Sequence, residues 1–396
     1  MKDNEIYIVA AMRTPTGGML GNLSSLKAPE LGAIAHNAAI NQANLTPADI
    51  DEVISGCVLQ AGIGQAPARQ AALKANIPSR AGATTINKMC GSGMKAVMLA
   101  HDLIKAGSAD IVLASGMESM SNAPYLLAKA RAGYRLGHDV LIDHMYIDGL
   151  EDAYEKGKLM GVFADNTAKF YNFSREDQDL FAARSMTRAI KAQDELKFSN
   201  EIVPITISQK TGETIITKDE GPDPKKLDKI SKLRPAFSVD GTITAANSSS
   251  IADGAASLIL MTKENALKRG IKPLAKIVAH ASYASEPEWF TTAPIEAIKE
   301  VLIKANWQKD EVDLYEINEA FAVVTMTAIK ELNLDVNKVN IHGGSCALGH
   351  PIGASGARIL VTLIYALINE QKTKGIAALC IGGGEATAVA IEVVHG

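Results

Sequence analysis

Short apolar runs bounded by glycine alternate along this chain with stretches whose apolar residues recur every three or four positions. Residues 111–114 and 377–381 are runs of the first kind, and 6–11, 251–260 and 312–317 also read as strands. Such runs fit strands of a sheet covered on both faces. Helical spacing begins at Ser92, after which Met94, Val97, Met98 and Ile104 fall on one face. It begins again at Ser355, after which Ala357, Leu360, Val361, Ile364 and Ile368 do the same. Residues 31–42 and 67–74 predict earlier helices. Strands alternating with helices in this way give an α/β class.

Two stretches echo each other. Cys90-Gly91-Ser92-Gly93-Met94-Lys95 leads into a helix, then a buried run that ends Gly116-Met117-Glu118. Gly353-Ala354-Ser355-Gly356-Ala357-Arg358 leads into a helix, then a buried run that ends Gly382-Gly383-Gly384-Glu385. Both read as Ser-Gly-x-basic, helix, strand, glycine turn, glutamate. An internal duplication is expected, with helices layered around two buried sheets. The middle of the chain is more charged, and Gly221-Pro222-Asp223-Pro224-Lys225-Lys226 must be a loop. The expected division is an N-terminal half (1–120 and 250–271), an inserted domain (121–249) and a C-terminal half (272–396). Residues 125–149 are expected to carry subunit contacts.

Composition narrows the class. At 396 residues a single compact core is not expected. A formal charge of −4 argues against a nucleic-acid partner. No apolar run is expected to span a membrane. The opening Met1-Lys2-Asp3-Asn4-Glu5 runs straight into a strand, so no leader is expected, and the ending Val394-His395-Gly396 is no targeting signal. Cys57, Cys90, Cys346 and Cys380 are too sparse for a disulfide scaffold and too far apart for a C-x-x-C site. A reducing, cytoplasmic setting is expected.

The chemistry lies in glycine-rich segments. Cys90 sits between Met89 and Gly91-Ser92-Gly93, where a helix starts; a helix N-terminus favours a thiolate. The competing reading is an inert buried cysteine. His350, in Gly349-His350-Pro351-Ile352-Gly353, suits a partner for a nucleophilic thiol. His101, His138, His144, His280, His342 and His395 lack such a setting. Cys380 ends a strand and opens Gly382-Gly383-Gly384, whose N–H groups can face a developing oxyanion. Asn318 follows another strand, where it positions a water or a carbonyl, or simply caps a helix with Glu319 in its first turn. One sulfur able to carry an acyl group and a second able to move a proton point to acyl transfer with carbon–carbon bond chemistry.

Taken together, Arg13-Thr14-Pro15, the Cys90 segment, Asn318-Glu319-Ala320-Phe321, Gly349-His350-Pro351-Ile352-Gly353-Ala354-Ser355-Gly356 and Cys380-Ile381-Gly382-Gly383-Gly384 resemble the thiolases, in the family's order and over essentially the whole chain. The resemblance implies a duplicated five-layer α-β-α-β-α architecture with an inserted loop domain. It implies that Cys90 attacks an acyl-CoA and holds the acyl group. It also implies that His350 activates that thiol and helps form an oxyanion hole in which Asn318 holds a water. Cys380 would take the α-proton of a second acetyl-CoA. The N–H groups of Cys90 and Gly382 would form the other oxyanion hole. Met160, Leu233, Phe237, Ser249, Phe290 and Phe321 match positions that contact CoA or the acyl group. No metal and no cofactor beyond coenzyme A as substrate is implied. The activity implied is acetyl-CoA acetyl transfer, two acetyl-CoA giving acetoacetyl-CoA and CoA. The segment from Arg131 to Gly149 resembles the tetramerisation loop of short-chain members, so a homotetramer is expected.

The chain departs from the short-chain pattern at Leu159-Met160-Gly161, where histidine usually leads. It lacks an adenine-side arginine near Gly221, leaving Lys225, Lys226 or Lys229. Cys346 stands where a larger aliphatic residue is usual. The alternatives are a degradative 3-ketoacyl-CoA thiolase of longer chain preference, which Leu159 favours and Phe290 disfavours, a 3-oxoacyl synthase, which the Cys380 motif disfavours, and a non-catalytic CoA- or lipid-binding relative.

Overall fold

The computed structural model describes residues 5–209 and 212–395. Met1 to Asn4, on which the absence of a leader was argued, and Gly396 lie outside the described residues. The sheet strands are β1 (Ile6–Arg13), β2 (Glu52–Gly56), β3 (Gly82–Ile86), β4 (Ile111–Ser119), β5 (Ala252–Thr262), β6 (Ala275–Ala284), β7 (Leu314–Ile317), β8 (Lys374–Ile381) and β9 (Glu385–Val393). The main helices are α1 (Ala28–Gln42), α2 (Pro67–Lys74), α3 (Ser92–Lys105), α4 (Met160–Tyr171), α5 (Arg175–Asp194), α6 (Ala293–Ala305), α7 (Ala322–Leu332) and α8 (Ile352–Asn369).

Strand order across the sheet is β7-β8-β9-β6-β1-β5-β4-β2-β3. The joint between β6 and β1 is narrow, pairing only Tyr7 with Lys276 and Ile8 with Ala275. On either side of that joint the order repeats. The first half runs β3-β2-β4-β5-β1, and the second runs β7-β8-β9-β6 with Val339 bridged in parallel to Tyr315 of β7. A single bridge thus stands where β3 stands in the first half. The duplication lies in the topology as well as in the sequence echo.

Helices α3 and α8 fill the space between the half-sheets. Met94, Val97, Met98 and Ile104 of α3 and Leu360, Val361 and Ile364 of α8 pack in one core with Val112 and Leu258 from the first half-sheet and Leu379 and Ile391 from the second. Apolar residues of α1 cover the outer face of the first half-sheet, and Ile295, Ile298 and Val301 of α6 that of the second. The result is five layers. Against the expectation that no apolar run is long enough for a membrane, α8 is long and apolar enough to cross one, yet 89% of it is buried in the middle layer. A helix covered on all sides needs no polar face.

Two details differ from the sequence expectation. The first repeat has no glycine turn before Glu118, because β4 continues through Gly116 to Ser119, paired residue by residue with β5. In the second repeat the chain does turn, with Gly383 and Gly384 at φ +95 and +88, into the β8–β9 hairpin. Helix α7 starts only at Ala322, so Asn318 does not cap it.

The halves meet through missing side chains. A Cβ on Gly93 would lie 2.8 Å from the Ala357 nitrogen, and one on Gly356 would lie 2.8 Å from Met94 Cβ. A Cβ on Gly116 would strike the Gly353 carbonyl and come within 2.8 Å of Ala354 Cα. Gly116→Ala is expected to destabilise the fold by about 1–3 kcal/mol, the usual cost of overpacking. Urea unfolding with an unchanged midpoint would show that this contact yields freely.

Candidate active site

Cys90 sits on an elbow between β3 and α3. Asn87 Oδ1 accepts the Met89 N–H at 2.9 Å, and Met89 takes a left-handed φ of +46. Ser92 Oγ accepts the Lys88 N–H at 2.9 Å and donates to the Met89 carbonyl at 2.6 Å. The turn is tight enough that a Cβ on Gly91 would collide with Ile381 at the end of β8. The sequence suggested a helix-stabilised thiolate here. Instead burial dominates and pushes the thiol up to about 11; the N–H groups of Gly382 and of Cys90 itself pull the other way, and the Glu118 charge adds to the rise. The resting sulfur is a neutral thiol that needs a base.

His350 supplies a base with a defined tautomer. Ser355 Oγ donates to the Pro351 carbonyl at 3.0 Å, so it accepts from His350 Nδ1 at 2.5 Å. The proton is therefore on Nδ1. Nε2, buried and without a protein partner, keeps its lone pair. Burial, with the Arg358 cation nearby, lowers the ring to about 3, so it rests neutral.

The orientation of Asn318 follows from a chain of donors. Arg358 can only donate, and its Nη2 donates to Ser345 Oγ at 2.9 Å. Ser345 in turn donates to Asn318 Oδ1 at 2.6 Å. The amide is thereby fixed with Nδ2 as the free group, and Nδ2 is buried without a protein partner. Glu316, beside Arg358 with 3.8 Å between charged atoms, is pushed up to about 8, mainly by burial. The neighbouring Glu319 does structural service, accepting from Ser185 Oγ, Asn340 Nδ2 and the Cys346 N–H.

Cys380 is the penultimate residue of β8, with its side chain buried. Burial and the proximity of Cys90 both raise its thiol well above the usual range. A cavity of about 300 Å³ brings Cys90, His350, Cys380 and Gly382 together with Met160, Ser249, Phe290 and Phe321. Phe290 and Phe321 stand edge to face with centroids 6.5 Å apart and form an aromatic wall. Asn318 is not among the lining residues. Nor is Phe237, its ring filling the space left by Gly161 and meeting Phe321 edge to face at 5.9 Å. Leu233 lines a separate cavity of about 230 Å³ with Lys226, Lys229, Ser250 and Cys346. The two cavities flank the adjacent residues Ser249 and Ser250.

The structure adds Glu118 to these residues. It accepts N–H bonds from Val58 (3.0 Å), Leu59 (3.1 Å) and Gly353 (2.9 Å), tying the first half to the loop that carries His350. Burial raises it to about 7. Its only sequence signal was its place as the closing glutamate of the first echoed unit. Asp148, Glu151, Asp152 and Tyr154 form one side of the cavity, and no motif marked them.

With this geometry in hand, comparison with known proteins is direct. The chain matches the thiolase N-terminal domain over residues 6–264 and the thiolase C-terminal domain over residues 271–393. It is 49% identical over 393 residues to acetyl-CoA acetyltransferase 2 of Arabidopsis thaliana, covering 98% of this chain and 97% of the relative. It is 46% identical over 390 residues to acetyl-CoA acetyltransferase of Cupriavidus necator, covering 98% and 99%. The crystal structure of the Acat5 thiolase of Ascaris suum in complex with coenzyme A superposes with a TM-score of 0.93 at 41% identity, over 98% of this chain and all of that one (100%).

Two outcomes test the geometry. In His350→Asn, alkylation of the Cys90 peptide by iodoacetamide should rise about tenfold per pH unit from pH 7 to 10, as the thiolate fraction of a high-pKa thiol does. A plateau below pH 9 would contradict the buried neutral thiol. Ser345→Ala frees the Asn318 amide and should lower kcat roughly tenfold with KM little changed, less than the loss of an oxyanion donor outright. An unchanged kcat would remove the relay.

Proposed function

The chain belongs to the thiolase family, and from that premise we propose that it is an acetyl-CoA C-acetyltransferase working through an acyl group on Cys90. The observation that carries this reading is the convergence of two sulfurs and an unpartnered imidazole nitrogen on one cavity. Nε2 of His350 takes the Cys90 proton as the sulfur attacks the acetyl-CoA carbonyl. The tetrahedral intermediate then expels CoA as thiolate, which takes that proton back from the imidazolium. The acyl-enzyme makes the kinetics ping-pong.

The second half-reaction needs a base for a weak carbon acid. Cys380 suits it because its buried sulfur binds a proton tightly once charged. Part of what opposes its ionisation is charge on Cys90. As a thioester Cys90 cannot acquire a charge, so that repulsion is absent when Cys380 ionises. His350 Nε2, neutral again, takes the Cys380 proton; the resulting thiolate takes the α-proton of a second acetyl-CoA, and the enolate carbon attacks the acyl carbonyl. The new C–C bond forms as Cys90 leaves with the electron pair of its C–S bond and takes the proton of the His350 imidazolium, while Cys380 keeps the α-proton. The N–H groups of Cys90 and Gly382 hold one oxyanion, and His350 with a water on Asn318 Nδ2 holds the other.

CoA is proposed to run from the catalytic cavity past Ser249 towards Leu233. Lys229, which makes no ion pair among the described residues, is the proposed phosphate partner there; Lys226 is already spent on the Gly221 carbonyl at 2.7 Å. Leu136, fully exposed, and Leu127, Val140 and Leu141, more than half exposed, support the proposal that this loop packs against other subunits of a homotetramer. Four free cysteines fit a reducing compartment, taken here as the cytoplasm.

The test is CoA-dependent cleavage of acetoacetyl-CoA beside 3-oxodecanoyl-CoA. The aromatic wall should give at least a tenfold preference in kcat/KM for the shorter substrate, and Phe290→Ala should erode it. Preference for the longer substrate would make the protein a degradative 3-ketoacyl-CoA thiolase. With acetyl-CoA alone, Cys380→Ala should still be acetylated at Cys90 yet form no acetoacetyl-CoA; condensation by that variant would remove Cys380 from the mechanism.

A further inference from the structure

Away from the catalytic cavity, the C-terminal part of α3 meets the middle of β6. His101 Nδ1 lies 3.0 Å from Asp102 Oδ1, His280 Nε2 lies 3.0 Å from the same oxygen, and the two ring nitrogens are 3.2 Å apart. The rings cross nearly at right angles with centroids 4.9 Å apart. Both imidazoles are largely buried and the carboxylate is half exposed. None of the three lines the catalytic cavity.

No placement of protons satisfies all three contacts. If both facing nitrogens carry hydrogen, both donate to the carboxylate, but two N–H groups are then held against each other. If only one carries hydrogen, the other nitrogen presents its lone pair to the carboxylate oxygen. A cation among the three atoms removes the conflict, since all three then donate electron pairs to it. Donor atoms about 3 Å apart are those that share one ion at about 2.0–2.1 Å from each.

We propose that His101, Asp102 and His280 form a site for one divalent transition-metal cation of the zinc class. Two imidazoles and one carboxylate are a borderline-soft donor set, suited to zinc, cobalt or nickel and poorly suited to magnesium or calcium. The exposed edge at Asp102 is the entry path and leaves room for water to complete the coordination. Asp102 Oδ1 lies 3.0 Å from both ring nitrogens, so the carboxylate is the ligand the site can least lose. The ion bridges α3 of the first half and β6 of the second, which makes it a brace between the two repeats. His101 and Asp102 are adjacent while His280 is 178 residues beyond Asp102, so no ligand spacing marks the site in the sequence.

The test uses the full-length, tag-free protein after chelation, titrated with cobalt(II) and followed by absorption and calorimetry. One ion per chain is expected, with a d–d spectrum of nitrogen and oxygen ligation. Affinity should fall at least tenfold in His280→Ala, His101→Ala and Asp102→Asn. Acetoacetyl-CoA cleavage by these variants should stay near wild type, which also reports that they fold. Zinc should raise the unfolding midpoint of the wild type and not of the variants. Wild-type affinity in the three variants, a sulfur-to-cobalt charge-transfer band from Cys90 or Cys380, or no stoichiometric binding would each overturn the proposal.

Discussion

The close crossing of α3 and α8 governs the rest of the molecule. Each helix carries Ser-Gly near its start, at its first residues in α3 and one turn in for α8, and each glycine is where the other helix touches: Gly93 against Ala357, Gly356 against Met94. A Cβ at either glycine would stand under 3 Å from the facing helix, so the helices would have to move apart. Because the contact is at their N-terminal turns, it also fixes the loops that precede them. Cys90 precedes one and His350 the other. The catalytic pair is therefore a by-product of how two repeats pack, and the two hydroxyls beside the glycines have parallel uses. Ser92 knots the elbow under Cys90, and Ser355 sets the tautomer of His350.

Burial around this crossing keeps the site uncharged at rest. Cys90, Cys380 and His350 all favour their neutral forms for the same reason, the cost of a charge in a dry cavity. Reactivity then arises from transfer between neighbours rather than from a standing thiolate. Such a site gives little opening to adventitious electrophiles while no substrate is bound, and it activates in sequence, since the state of one sulfur alters the ionisation of the other.

Much of this was legible in the sequence, and the limits have physical causes. Apolar runs located β1, β4, β5, β7 and β8, and the 3.6-residue spacing located α3 and α8, because these elements are buried enough for pattern to dominate. The echo around Ser92 and Ser355 revealed the duplication. The half-exposed β3 was not legible, since its residues lack a clear alternation. The helix expected close after Asn318 began later because Asn318 and Glu319 make tertiary hydrogen bonds instead of capping it. The nucleophile elbow, the base and the glycine turn carry motifs, but Glu118, Ser345 and Arg358 act through partners far away in the chain, and one sequence holds no trace of such distances.

The second half-sheet ends in a single bridge at Val339, whereas the first ends in a full strand, β3, whose outer row of backbone groups has no partner among the described residues. An unpaired strand edge is a template for another strand. The elbow of Cys90 is the direct continuation of that strand. Any chain that zipped along the edge would take hold of the backbone three residues upstream of Met89, and a pull on that edge would be felt at the nucleophile.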